Sequence, residues 1–317
     1  MAVFPYTPFS FNVTPASPVF ALTPVASNIS QGWVPSCTTP ECVSTASWST
    51  GSVGAALSFQ FWGWDVAFDG NVKGNMSIEL LRDGIKQTWD PSEGTLFRLH
   101  GEATDQFYLH NLTLKVLDAS PDADLTVTQA RVNGSSYGDV IMNANRWTTP
   151  SNDASFSYTG FTQQASVAHA ESQTMHISSK AGDTASMQFD ASALLIYGPC
   201  GPKNGLVKII IDDRTSTANT SAPIASNDCL LFQSWGLPLG FEHRLLVENA
   251  DGVTLGIDRI EFFRIDRYSK GKRGASAALT AGIVIIVVFS VLAVLTIFWK
   301  TSKKGGKPRR MCEVFCS

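Results

Sequence analysis

The chain has 317 residues, of which 44% are hydrophobic and 16% charged, with a net charge of −3. This is too apolar for a disordered chain and too weakly charged for a nucleic-acid binder, so no nucleic-acid partner is expected. Six cysteines are too few for a disulfide-dense miniature scaffold, and no collagen or coiled-coil period is present.

In chain order, residues 1–24 hold five of the 15 prolines and read as a Pro-rich extended arm. From there to residue 266, short β-branched and aromatic runs alternate with Gly, Asn, Asp, Ser and Pro turns, and no helical period is sustained. The chain resembles itself across this region. Ser58–Phe61 matches Ser186–Phe189 at an offset of 128, and Phe68-Asp-Gly70 matches Ile196-Tyr-Gly198 at the same offset. Ile78–Asp83 parallels Ile209–Arg214, His110-Asn-Leu112 parallels His243-Arg-Leu245, and Leu125–Val132 parallels Leu255–Phe262. Two all-β units of about 110 residues with strands every 8–14 residues predict tandem jelly-roll β-sandwiches. Their expected bounds are 25–135 and 153–266, joined by a linker at 136–152 that permits inter-domain motion.

A basic juxtamembrane segment, 267–274, comes next. Its Lys272-Arg273 pair reads as interfacial anchoring or a dibasic cleavage site. Residues 275–298 carry no charge. As a helix they span ~36 Å, enough to cross a membrane. The last 19 residues, 299–317, hold six Lys/Arg against one acid. They predict a basic cytosolic tail that touches anionic membrane lipid. Basic residues also flank the other side, so orientation rests on two further signals. Six Asn-X-Ser/Thr glycosylation sequons, at Asn12, Asn28, Asn75, Asn111, Asn133 and Asn219, all precede the span. Four cysteines do too, and their spacing suggests disulfides Cys37–Cys42 and Cys200–Cys229. These signals place the N-terminal body outside the cytosol, at the plasma membrane or in the secretory pathway. The N-terminus shows no basic n-region and no unbroken apolar run. Three explanations stay open: the span is a reverse signal-anchor, the start lies elsewhere, or the protein is tail-anchored with a cytosolic body.

The text Ser-Phe-Gln-Phe…Phe-Asp-Gly, Ile78 to Gly84, His-x-Leu and the closing Leu255 to Ile260 resembles a basidiomycete-type fungal family of uncharacterised single-pass transmembrane proteins. The resemblance implies galactose-binding-like jelly-roll ectodomains, a membrane span and a basic tail. The chain departs from that pattern by lacking a Ser/Thr-rich stalk between Arg267 and Gly274.

No fingerprint of a hydrolase, zinc site, P-loop or dinucleotide fold is present, so no catalytic residue, metal or cofactor is expected. His110 and His243 are repeat-related and read as structural. Asp122, Asp124, Asp212 and Asp213 sit at turns, where Asp favours the local backbone. Candidate ligand contacts are aromatic. Trp62 and Trp64 align with Asp190 and Ser192 of the second copy, so neither position is deep core in both. Trp89, which aligns near Thr217, and Trp235 lie in expected loops. The reading is therefore a non-enzymatic recognition or adhesion ectodomain for an extracellular glycan. The alternatives are a protein-interaction ectodomain that binds no sugar and a glycan-active enzyme with two carboxylates across a groove.

Overall fold

The structure, a computed structural model, describes residues 10–37, 46–102, 105, 108–133, 144–165, 174–238 and 240–265. All of these fall in one compact unit. They are all-β, as the alternating patterns require. Among them no helix is long and apolar enough to cross a membrane. The expected span at 275–298 and the tail at 299–317 lie outside the described residues.

Eleven strands come first: β1 (Ser10–Val13), β2 (Phe20–Thr23), β3 (Val34–Pro35), β4 (Trp48–Thr50), β5 (Ala56–Trp62), β6 (Asp65–Lys73), β7 (Met76–Arg82), β8 (Ile85–Lys86), β9 (Thr95–Leu99), β10 (Leu109–Ala119) and β11 (Asp124–Asn133). One sheet runs β2-β5-β10-β7-β8. The other runs β3-β4-β11-β6-β9, with β1 also on β11. Strand alternation builds the core between them. On β5, Leu57, Phe59 and Phe61 point inward and are buried, while Ser58, Gln60 and Trp62 face out. Phe59 meets Phe68 edge-on at 5.4 Å, and Phe68 stacks on Phe97 at 4.9 Å.

Twelve more strands follow: β12 (Ala144–Pro150), β13 (Ser157–Thr159), β14 (Thr162–Ala165), β15 (Thr174–Ser178), β16 (Thr184–Phe189), β17 (Ala193–Cys200), β18 (Leu206–Ile211), β19 (Arg214–Asn219), β20 (Ser226–Trp235), β21 (His243–Asn249), β22 (Leu255–Ile257) and β23 (Arg259–Ile265). The order β13-β16-β21-β18-β19 has the same pattern as β2-β5-β10-β7-β8. The sheets β14-β15-β22 and β12-β23-β17-β20 together match the other first-half sheet. β11 corresponds to β22 and β23 in series. Its register shifts between Val127 and Gln129, and Asp258 separates β22 from β23 at the equivalent place. Gly70 and Gly198 also coincide. A Cβ on either would strike a carbonyl of the facing strand, of Thr126 and Gly256 respectively.

Two segments behave differently from their expectation. Within the arm, Ser10–Val13 pairs with β11 and Phe20–Thr23 with β5, so this stretch is part of the first half. Its prolines hold the chain extended without preventing neighbouring residues from pairing. Within the expected linker, Ala144–Pro150 pairs along β23. It is an edge strand, where Pro150 and the polar residues Asn145, Thr148 and Thr149 are tolerated.

The freedom of motion expected between the halves is not what the packing supports. One hydrophobic cluster runs from Phe11, Ala16 and Phe20 into Leu195, Cys200, Leu230, Trp235 and Phe263. At its centre the buried Leu230 N–H donates to Ser17 Oγ at 3.1 Å, and Cys200 Sγ lies 3.0 Å from Ala16 O. The arm is thus the seam between the halves. The Cys200–Cys229 disulfide is formed, joining β17 to β20 behind this seam. Cys37 is also disulfide-bonded, while Cys42 lies outside the described residues.

Candidate functional site: a groove between the halves

In each half, the two sheets end on strands that no hydrogen-bond ladder joins: β8 and β9 in the first, β19 and β20 in the second. Such an open edge exposes the sandwich interior unless something fills it. In the first half Trp89 does so. It lies between β8 and β9, is half-buried, packs on the core and stands 6.1 Å from Phe97. Counted from the matching two-residue turns β7–β8 and β18–β19, the equivalent residue in the second half is Ala218, next to the Thr217 that the sequence match pointed to and too small to serve as a plug.

The consequence is a groove of about 580 Å³. One wall is the outer face of β5, with Ser58, Gln60 and Trp62. The other is the β19–β20 mouth, with Arg214, Ser216, Thr217 and Asn219 facing Gln233 and Trp235 over an apolar floor that includes Ile209, Ile211 and Leu231. Gln233 ties the walls together. Its Nε2 donates to Gln60 O at 2.8 Å, and its Oε1 accepts from Trp62 N–H at 3.2 Å. The register of β2 on β5 stops at Phe20↔Phe59, so this side-chain amide continues the ladder that the strand leaves off.

Of the four tryptophans singled out in the sequence, the structure brings two together. Trp62 is half-buried and lines the groove; Trp235 lines it too but is buried, and it ends β20 rather than occupying a loop. Trp64 does not share the strand face of Trp62: β5 ends at Trp62, Gly63 turns the chain, and Trp64 falls in the β5–β6 connection. Trp89 is the plug. Neither lines the groove.

The repeat-related histidines form a matched pair of clamps. His110 Nδ1 lies 2.7 Å from Asp83 Oδ2 and its Nε2 2.6 Å from Asp105 O. His243 Nδ1 lies 2.7 Å from Asp212 Oδ2 and its Nε2 2.8 Å from Pro238 O. Asp83 and Asp212 also accept the backbone N–H of Asn111 and Arg244. Both sit in the left-handed region, at φ 53° and 54°, in the β7–β8 and β18–β19 turns. The structure therefore pairs Asp83 with Asp212, two residues from the partner that Ile209–Arg214 implied. Asp212 is held below the usual carboxylate range by the Arg244 N–H and His243. At Asp83 burial pushes upward, but the contacts with His110 and the Asn111 N–H outweigh it. A different pair, His100 and Asp65, has Nδ1 3.0 Å from Oδ1, and burial raises the Asp65 carboxyl. At the other acidic turn Asp122 accepts from Ser120 Oγ. Among the described residues no cluster of His, Cys, Asp and Glu forms a metal cage.

The sequon asparagines Asn12, Asn28, Asn75, Asn111 and Asn219 are all exposed. The Asn133 side chain lies outside the described residues. Asn219 lines the groove, and Asn111 accepts from Ser58 Oγ at 2.8 Å on the opposite wall.

The chain matches no protein-family model and no curated protein. It is similar in part to several solved structures. A family two carbohydrate esterase from Cellvibrio japonicus shares 12% identity over 38% of this chain and 34% of that one, with a TM-score of 0.30. The insecticidal crystal protein Cry2Aa shares 10% over 47% and 28%, at 0.27. A cycloalternan-forming enzyme from Listeria monocytogenes, in complex with a pentasaccharide substrate, shares 9% over 69% and 20%, at 0.28. The chain thus spans about a third or less of the length of these structures. Likenesses at this level carry no argument about what the groove binds.

Proposed function

We propose that residues 10–265 form two tandem jelly-roll sandwiches that recognise an extracellular glycan, as the ectodomain of a single-pass membrane glycoprotein with a basic cytosolic tail. The observation that carries the glycan reading is the groove itself. A pyranose presents apolar C–H faces and a rim of hydroxyls. Trp62 offers a ring beside the amides of Gln60 and Gln233, the guanidinium of Arg214 and the hydroxyls of Ser58 and Ser216. That is the mix of aromatic surface and convergent polar groups that small-ligand sites use. No Asp or Glu is among the described lining residues, which supports recognition over carboxylate-driven hydrolysis. The exposed sequons and the Cys200–Cys229 disulfide support a lumenal or extracellular body. The anchor rests on the uncharged run at 275–298. One observation favours a second reading, a protein-interaction surface without sugar: Trp235 is buried and gives a ligand little ring face.

Two experiments test this. The full-length protein expressed in a eukaryotic cell shifts on a gel after glycosidase treatment; no shift, with a body protease-accessible from the cytosol, overturns the topology. For the ligand, the detergent-solubilised protein is retarded in native gels containing laminarin or hydroxyethyl cellulose, both soluble neutral glucans. Ala218→Trp, which plugs the mouth as Trp89 does, and Trp62→Ala each weaken retardation about tenfold, the equivalent of ~1.4 kcal/mol. Unretarded wild-type protein overturns the glycan reading.

A further inference from the structure

Among the described residues only two aromatic side chains are exposed, Tyr108 at 63% and Phe241 at 66%. Single exposed apolar residues are ordinary. These two, however, occupy the same place in the repeat, each two residues before the clamp histidine at the entry to β10 and β21. The identities differ, Tyr in one copy and Phe in the other, but the exposed ring is kept in both.

Described residues next to both rings are tied to the fold. Asp105 O accepts from the Tyr108 N–H at 2.9 Å and also contacts His110 Nε2. Arg82, itself buried, reaches Asp105 Oδ2 at 3.0 Å. In the second copy His243 Nε2 contacts Pro238 O, and Gly240 N–H reaches Asp190 Oδ1 at 3.4 Å. Neighbouring residues of both loops, Leu109 and Leu237, line the groove.

We infer that Tyr108 and Phe241 are two equivalent stacking platforms for pyranose rings of a neutral glycan polymer. The inference rests on the glycan reading above and extends it from one groove to a bivalent surface. Two lines of chemistry choose this occupant. A duplicated contact suits a ligand that itself repeats, because the second ring binds at a high effective concentration once the first is held. In sequence, the described residues that flank the rings include the exposed carboxylates of Glu102, before Tyr108, and Glu242, next to Phe241. Carboxylates accept hydrogen bonds from sugar hydroxyls, and they repel an anionic lipid surface.

The test uses the full-length detergent-solubilised protein in the same laminarin and hydroxyethyl cellulose gels. Tyr108→Ala and Phe241→Ala each lower retardation severalfold, and the double variant lowers it by far more than either alone. Tyr108→Phe and Phe241→Tyr keep wild-type retardation, because the ring face and not the hydroxyl makes the contact. Undiminished retardation of the double variant, with Ala218→Trp still weakened, overturns the platforms and leaves the groove reading standing. Unretarded wild-type protein overturns both. Loss of binding to phosphatidylcholine–phosphatidylserine vesicles in the double variant, without change in the glucan gels, assigns the rings to a membrane and also overturns the inference.

Discussion

Asp83 and Asp212 show how single residues carry the duplication. Each holds a turn with its backbone and a histidine with its carboxylate. Their folded-state pKa values lie below the unfolded value of about 3.9. A depressed carboxylate contributes stability that is present above the unfolded pKa and is lost as pH falls through the folded one. Denaturant midpoints are therefore expected to fall on acidification below about pH 4, and Asp83→Asn/Asp212→Asn to flatten that fall while lowering the midpoint at neutral pH. Gly198 makes a second residue-scale prediction. A methyl there strikes Gly256 O and the Leu231 side chain, so Gly198→Ala is expected to cost about 1–3 kcal/mol in urea unfolding. The His-x-Leu match at an offset of 133 already located Tyr108 and Phe241 in the sequence. Their role is not legible there, because a Tyr or Phe at a strand entry reads as an ordinary core aromatic until its exposure is known.

At the scale of elements, alternation on β5, β10, β16 and β21 was legible because one face of each strand is apolar and the other polar. The edge strands were not. β1 and β12 carry mixed polar residues or a proline, and their pairing depends on partners more than 100 residues away, which no local pattern contains; β2 is four residues long and pairs with β5 across the Trp33 and Trp48 segments. The groove was hidden for the same reason: it follows from what Trp89 fills in one copy and Ala218 leaves open in the other, a register that only the paired turns fix. Two measurements address the elements that join the halves. Ser17→Ala leaves the buried Leu230 N–H without its acceptor and is expected to cost about 1–3 kcal/mol. Replacing Cys200 and Cys229 by Ser opens a loop with a sequence separation of 29. The expected loss is about 3–4 kcal/mol, read as a lower thermal midpoint.

At the scale of the molecule, the shared cluster makes the two halves one cooperative body. Calorimetry of the solubilised protein should show a single unfolding transition in which calorimetric and van't Hoff enthalpies agree; two separated transitions would mean the seam contributes little. Gln233→Leu is the milder probe, since it removes both hydrogen bonds between the groove walls. It is expected to reduce glucan retardation more than it reduces stability, because the groove walls lose their register while the apolar seam stays intact.

The seam also sets an order of events during synthesis. Ser17 emerges from the ribosome long before Leu230, its partner 213 positions later. At 5–20 residues per second the wait is roughly 10–40 s. During that interval Phe20 can already pack on Phe59 and Phe68, but the nascent first half presents Ala16 and Ser17 without their second-half partners Cys200 and Leu230. The seam therefore closes only after the second half has been made, and a pause before residue 230 delays that closure.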